Sequence, residues 1–334
     1  MSVTIAVDAM GGDLGPRVTI PAAKSFARLY PAIHLVVVGP ESQLTELLST
    51  SDTPSNISFL HAPDTVAMTD KPAQALRSKQ ESSLWKIIEL VASGKAAACV
   101  SAGNTGAMMA IGKVLLKTFP GIDRPAICKT IPTATGHSYM LDLGANVECS
   151  AEQLVQFALM GSELAAALDG VARPTIKLLN IGAESIKGND GVRAAAALMA
   201  ESSHLNFTGF VEGDGIYRGD ADVIVCDGFV GNVALKVSEG VAHLLATELQ
   251  ELLKGGQYGR IVGYFARPLL RKWHNKFDPA RYNGASFLGL QGAVVKSHGS
   301  SSVAGFCSAL EVAREQVEKN IPERIHERLA RFLV

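Results

Sequence analysis

An α/β fold with a mostly parallel sheet is what this sequence predicts, and three observations support it. Short apolar, β-branched runs alternate along the chain with amphipathic stretches at helical spacing. Strands separated by helices of this length join as crossover units, which makes neighbouring strands parallel. Seven of the runs end in polar turns that carry glycine, and the carboxyl edge of an open α/β sheet is where ligands bind.

The first strand, 4–10, runs into Asp8-Ala9-Met10-Gly11-Gly12-Asp13. Strands at 33–39 and 57–62 follow, with a helix at 41–48 between them. A long helix is expected over 72–93, with Pro72 near its start and Gly94 ending it. The small and β-branched stretch 97–101 reads as a buried strand, and 107–117 has the apolar spacing of a helix. Two strands, 126–132 and 138–143, flank the turn Thr135-Gly136-His137. The alternation resumes with a helix at 151–168, a strand at 175–181 and an Ala-rich helix at 191–203. Strands at 207–211 and 223–226 precede a long helix, 232–253. A last strand at 293–297 and helices at 302–319 and 322–332 close the chain. No internal repeat interrupts this order, and residues 1–334 read as one large domain or two lobes.

Composition narrows the function classes. Hydrophobic residues make up 47% of the chain and charged residues 19%, the balance of a globular protein. A formal net charge of −1 gives no reason to expect a nucleic-acid partner. Cysteines at 99, 128, 149, 226 and 307 form no CxxC pair and no zinc-ligand spacing, so they read as reduced core thiols of a cytoplasmic protein. Asp8 interrupts the apolar start, so no signal peptide is read there. No apolar run is long enough to span a bilayer.

The turn after the strand at 97–101 is the most informative stretch. Gly103 and Gly106 bracket Asn104-Thr105 at the start of a helix. A Gly-rich turn opening a helix leaves backbone N–H groups free at the positive end of the helix dipole, which suits a phosphate. Six other turns repeat the theme: 8–13, 142–146, 180–184, 212–215, 227–232 and 298–302. They are read as one rim around a shared site. Neither GxGxxG nor GxxxxGK[ST] occurs, nor a GxSxG elbow, which argues against a standard dinucleotide site, a P-loop and a covalent acyl-enzyme. Lys187 and His298 remain as cations, each readable as an ordinary loop residue or as a phosphate ligand.

The segments VDAMGGD (7–13), SAGNTGA (101–107), GIDRPA (121–126), LDLGANV (141–147), DGFVGNVALK (227–236), YNGASFLGL (282–290) and KSHGSS (296–301) resemble the PlsX phosphate acyltransferase family, in order and over nearly the whole chain. The resemblance implies a three-layer α/β/α, Rossmann-like fold similar to isocitrate and isopropylmalate dehydrogenases, here with two lobes. It implies transfer of a long-chain fatty acyl group from acyl carrier protein to inorganic phosphate, giving acyl phosphate for phospholipid synthesis. It further implies a homodimer at the inner face of the membrane, supplying a membrane acyltransferase downstream. No cofactor is implied beyond the phosphopantetheine that arrives on the carrier protein, and no metal.

This chemistry suits neutral donors. Phosphate is already partly a dianion near neutral pH, with a second pKa of about 6 in phosphate esters. A thiolate, from a thiol of pKa about 8.5, leaves without a strong acid. The residues must position two reactants and stabilise an oxyanion. Ser101, Gly103, Asn104, Thr105 and Gly106 are assigned to phosphate, with Lys187 neutralising its charge. Asn232, beside Gly231, and the turn Ser300-Ser301 donate to phosphate or to the thioester carbonyl, and His298 assists the thiol. Gly11, Gly12 and Asn146 complete the rim, while Asp8 and Asp13 orient backbone or cations behind it. On this assignment Asn104→Ala or Lys187→Ala lowers turnover and leaves the fold intact.

The segment 254–282 stands apart as a basic amphipathic protrusion. Seven cations, among them Arg260, Arg271 and Lys272, oppose Asp278 alone over 254–281. Leu269, Leu270, Trp273 and Phe277 fall on one helical face, with a second apolar strip through Phe265 before Pro268. That pattern fits an anionic membrane surface or an acidic carrier protein. A dehydrogenase of related fold and a non-catalytic membrane-surface scaffold are the alternative readings.

Overall fold

The computed structural model describes residues 3–49 and 51–332, apart from the side chains at 259 and 272–277. Among the described residues eleven strands form one sheet. In chain order they are β1 (Val3–Asp8), β2 (Ile33–Gly39), β3 (Ile57–His61), β4 (Ala98–Ser101), β5 (Ala126–Pro132) and β6 (His137–Leu141), then β7 (Thr175–Leu179), β8 (Asn206–Val211), β9 (Val223–Val225), β10 (Ala285–Leu288) and β11 (Ala293–Lys296). Their spatial order is β3-β2-β1-β4-β11-β10-β5-β6-β9-β7-β8.

The expectation of a mostly parallel α/β sheet is met, with one consequence the sequence did not show. β3, β2, β1, β4 and β11 are mutually parallel, and so are β6, β9, β7 and β8. Between them the contacts β11–β10, β10–β5 and β5–β6 are all antiparallel. Three reversals leave the two parallel sets running in opposite directions. The seven glycine turns therefore do not share one rim. Those after β1, β4 and β11 lie at one edge, and those after β6, β7, β8 and β9 at the other.

Helices cover both faces. Among the described residues they are α1 (Pro16–Leu29), α2 (Glu41–Leu48), α3 (Pro72–Ser78), α4 (Ser83–Ala92), α5 (Thr105–Leu115) and α6 (Ala151–Asp169), followed by α7 (Asp190–Glu201), α8 (Gly228–Lys254), α9 (Gly256–Phe277), α10 (Val303–Glu318) and α11 (Ile321–Phe332). Strand alternation divides the core. Ile5, Val100 and Val295 turn to the back face, against α1 and α10, and Leu141 and Val223 continue that face against α6. Ala6, Cys99, Val294 and Met140 turn to the front, under α4, α5 and α8. Burial of these side chains is the main stabilising term, at roughly 25 cal/mol per Å² of apolar surface.

Most elements fall where the sequence places them, and the exceptions have physical reasons. α1 has no counterpart in the sequence reading, because Pro16 and Pro21 look like breakers. Pro16 instead occupies the first turn, where its missing N–H is not needed, and Pro21 is accommodated inside the helix. The expected single helix over 72–93 is two helices, since Ser82 caps a new one by accepting from Trp85 N. β10 is also new: four residues between Gly284 and Gly289 are too few to show a pattern. Segment 256–277 is one helix that continues through Pro268, so Ile261, Phe265 and Leu269 lie on one continuous stripe.

Candidate functional site

Sheet register builds the site. Lys296 pairs with Ser101 on one side and Ala285 on the other, and Ala285 pairs with Lys129. Asp8 lies beside Ser101, with Ser101 Oγ donating to Asp8 Oδ2 at 2.6 Å. A front-facing row, Asp8–Ser101–Lys296–Ala285–Lys129, thus crosses five adjoining strands at one level. Neighbouring strands are about 4.8 Å apart, so Lys129 and Lys296 straddle Ala285 across about 10 Å.

Three turns close over the first part of this row. Asp8 Oδ1 accepts from Met10 N at 3.0 Å, and Ser101 Oγ accepts from Gly103 N at 2.9 Å. Asp13 N donates to Gly299 O at 2.9 Å, which joins the turns after β1 and β11. Glycine is required by this contact: a Cβ on Gly11 would stand 2.6 Å from Gly103 N, and one on Gly12 2.8 Å from Gly299 O. Asp8, buried under the turns, has its carboxyl raised by burial, against which the hydrogen bonds from Ser101, Ser83, Met10 and Gly11 pull. Asp8 thus holds the backbone of the turn after β1.

The second part is cationic. Lys296 is 9% exposed, and its Nζ donates to Ala102 O at 3.2 Å and to Ser297 O. Burial lowers its pKa to about 8, opposed by Asp8 and Asp13. Lys129 is lowered by burial as well. From above, α8 contributes Lys236, whose Nζ lies 3.5 Å from His298 Nε2 and 2.9 Å from Glu239 Oε2. Glu239 Oε1 also meets Lys129 Nζ at 3.4 Å. Burial, and then Lys236, lowers His298, which holds its imidazole toward the neutral form. His298 Nδ1 is 2.9 Å from Ser300 Oγ, and Ser301 Oγ is 2.9 Å from Ser297 Oγ.

At the opposite edge the loops after β6, β7 and β9 converge. A Cβ on Gly228 would meet Asn146 O at 2.4 Å, and one on Gly231 would meet Asp142 O at 1.9 Å, so α8 starts in contact with the β6 turn. The loop holding Lys187 leads into α7, where Gly191 approaches Cys149 O. Asn232 packs against Gly144. α8 then joins the two edges, because Asn232 and Lys236 are one turn apart on the same helix face.

Several sequence assignments need correction on this geometry. Asn104 caps α5 by accepting from Ala107 N at 3.0 Å, and its Nδ2 donates to the carbonyls of Ala67, Met68 and Asp70. Both ends of the amide are committed, so Asn104 ties the 67–70 loop to α5 and is not a phosphate donor. Asn146 is similar: its Nδ2 donates to Pro125 O and Asp142 Oδ2 at 2.9 Å each. Gly103, Gly106 and Gly231 serve close approach; a Cβ on Gly106 would stand 2.8 Å from Pro72. By contrast, the Thr105 hydroxyl, the Lys187 ammonium and the Asn232 amide make no hydrogen bond among the described residues. Lys187 and Asn232 lie at the far edge from Thr105. Lys129, Lys236, Lys296 and Glu239 were missed, although two signals were legible. A lysine ending the apolar run 293–296, or inside the run 126–132, is costly to bury without a purpose, and Lys236 falls on the same face as Asn232.

Comparison with known proteins shows the family. A family described as fatty acid synthesis protein matches residues 3–324. A phosphate acyltransferase of Pseudomonas putida is 53% identical over 331 residues, covering 98% of each chain. One of Pseudomonas syringae is 54% identical over 327 residues, covering 97% of this chain and 96% of the relative. The chain belongs to the PlsX family of phosphate acyltransferases. It is therefore an acyltransferase of fatty-acid and phospholipid metabolism. Among solved structures, a phosphotransacetylase from Staphylococcus aureus superposes with a TM-score of 0.61 at 18% identity, covering 95% of this chain and 94% of that one. A branched-chain phosphotransacylase from Enterococcus faecalis gives 0.60 at 17%, covering 94% and 99%. At such identities the likeness is one of fold.

The corrected role of Asn104 has a measurable consequence. Asn104→Ala removes a cap worth about 1 kcal/mol and leaves buried carbonyls without a donor, at about 1–3 kcal/mol. The variant is expected to show a clearly lower urea midpoint, with the 67–70 loop newly sensitive to protease. A midpoint equal to wild type would return Asn104 to the list of direct phosphate donors.

Proposed function

We propose that this enzyme transfers a long-chain fatty acyl group from acyl carrier protein to inorganic phosphate, by direct attack of phosphate on the thioester and without a covalent acyl-enzyme. The observation that carries this reading is the cationic row: Lys296 and Lys129 from the sheet, with Lys236 and His298 above them. Lys296 and Lys129 flank the small residue Ala285, Lys236 stands beside His298, and their combined charge would seat a dianion, Lys296 keeping one N–H beyond those given to Ala102 O and Ser297 O. Thr105 opens α5 at the end of β4, on the same edge as the turn after β11, and its hydroxyl is assigned to that side of the seat. Asn232, one turn before Lys236 on α8, packs against Gly144 and would supply an amide for the thioester carbonyl. Lys187 is assigned to the same end of the cleft, where it would meet the acyl or pantetheine portion or a second phosphate oxygen.

The reaction needs little from any single side chain. A phosphate oxygen forms a bond to the thioester carbon, the carbonyl oxygen takes up negative charge, and the C–S bond then breaks. A proton of hydrogen phosphate ends on the departing sulfur. A neutral His298 can pass it, since its imidazole lies beside both Lys236 and Ser300. Positioning and electrostatic stabilisation by the lysines supply the rest. No protein nucleophile and no cofactor takes part.

The hairpin of α8 and α9 supports the remaining expectations. Val237, Val241, Leu244 and Leu245 are exposed on α8, and Tyr258, Ile261, Phe265 and Leu269 on α9. Among the described residues no helix is long and apolar enough to cross a membrane. Arg260 and Arg271 are exposed beside the α9 stripe, and Leu270 is half-buried. The sites assigned to Lys272, Trp273 and Phe277 concern side chains outside the described residues. An apolar stripe flanked by arginines favours attachment to an anionic membrane surface from the cytoplasmic side. The α8 face suits a second copy of the chain, and the product would pass to a membrane acyltransferase.

Three outcomes test this reading. Acyl carrier thioester plus phosphate is expected to yield phosphate-dependent acyl hydroxamate on trapping with hydroxylamine; isolation of a stable acylated residue from the working enzyme would overturn direct attack. Lys296 holds its charge below its pKa of about 8 and loses it above, so KM for phosphate is expected to climb as pH rises through that value. In Lys296→Met KM should be raised about tenfold already at neutral pH, equivalent to about 1.4 kcal/mol, with that alkaline step gone; an unchanged KM removes Lys296 from the seat. The double variant Phe265→Asp, Leu269→Asp should no longer float with anionic liposomes, and undiminished flotation would rule out membrane attachment through α9.

A further inference from the structure

Glu239 is a carboxylate in the middle of a site for an anion, where simple electrostatics would exclude it. It stands one turn from Lys236 on the same face of α8, with Oε2 at 2.9 Å from Lys236 Nζ and Oε1 at 3.4 Å from Lys129 Nζ. Lys236 Nζ in turn lies 3.5 Å from His298 Nε2, and His298 Nδ1 lies 2.9 Å from Ser300 Oγ. One side chain thereby links β5, α8 and the loop after β11. These three elements come from the two oppositely directed parts of the sheet and the segment that joins them. We propose that Glu239 is the positioning residue of the phosphate seat, a carboxylate clamp that holds Lys129 and Lys236 at fixed separation so that their remaining N–H groups converge on phosphate.

The argument rests on the reading of the cationic row as the phosphate seat. A lysine has three N–H donors, so one given to Glu239 leaves two for a ligand. Without the carboxylate, three ammonium groups and an imidazole would face each other across a partly dehydrated cleft. Lys129, already lowered by burial, would lose the Glu239 charge that opposes this shift. Burial would raise Glu239, but the hydrogen bond from Lys236 and the charge of Lys129 hold it below its usual range, so it stays ionised. The charged and titratable groups around it are Lys129 from β5, Lys236 from its own helix, His298 from the loop after β11, with Lys296 acting on that histidine, and Tyr217 from the segment before β9. Tyr217 bonds to Ser238 and does not compete for the carboxylate.

Steady-state kinetics with acyl carrier thioester and inorganic phosphate test the clamp. Glu239→Gln keeps the shape and removes the charge. It is expected to raise KM for phosphate about tenfold while kcat stays within about twofold, the signature of lost ground-state positioning. Because Lys129 then sheds its proton more readily, the alkaline rise in KM should begin at lower pH than in wild type. Glu239→Asp, with the charge kept and the reach shortened, should give a smaller rise and a pH profile close to wild type. A Glu239→Gln enzyme with wild-type KM and pH profile overturns the proposal, as does one that loses kcat at unchanged KM. If Glu239→Gln does not fold, Glu239→Asp decides: a raised phosphate KM supports the clamp and an unchanged one overturns it. Lys296→Met separates the two readings. If it leaves phosphate KM unchanged, the seat itself is misplaced; if it raises KM while Glu239→Gln does not, only the clamp fails.

Discussion

The proposed phosphate seat depends on one register. β1, β4, β11, β10 and β5 are aligned so that Asp8, Ser101, Lys296, Ala285 and Lys129 fall in one front-facing row. A slip of a single residue in any of these strands would send its member to the back face, among apolar side chains of α1, α6 or α10. Register here is enforced by the core on both faces: the residues before and after each polar member are fully buried in most cases. The polar row is costly to bury, and the packing of three hydrophobic clusters offsets that cost.

Asp8 shows how the cost is contained. Its carboxylate lies under three turns and receives hydrogen bonds from the backbone and from Ser101. It could not face phosphate directly without repulsion. Above it Gly11 approaches Gly103 N, and Gly12 approaches Gly299 O, at separations no Cβ would permit. Glycine here is therefore a matter of close approach between loops as much as of backbone freedom. At the other edge the same logic recurs, where Gly228 and Gly231 let α8 start against the β6 turn.

α8 is the member that makes one site out of two edges. The antiparallel centre of the sheet, β10–β5–β6, turns the second set of strands around, so their carboxyl ends face away from those of the first set. A helix leaving β9 at the far edge runs back across the front face and carries Asn232, Lys236 and Glu239 toward His298. The cleft is thus built along a helix that spans the reversal, which differs from a ligand seated at one carboxyl edge of an open sheet.

How much of this was legible in the sequence can be argued from particular elements. Strands such as 33–39 and helices such as 41–48 were readable because local periodicity and caps act over a few residues. The family was readable because long motifs recur in order. β10 was not, since four residues between glycines carry no pattern, and without it the reversal of the sheet is invisible. Asn104 was misread for a related reason: its type and place announce a helix cap, but only the folded chain shows that the 67–70 loop occupies its remaining donors.

The sequence by itself determined the class of fold, the positions of most strands and helices, and the family, because each is written in short-range pattern or in motif identity. The tertiary structure alone decided which polar residues meet. Lys129, Lys236 and Lys296 come from segments far apart in the chain, and their convergence follows from strand order, direction and register, which are set by long-range pairing and by the burial of both sheet faces.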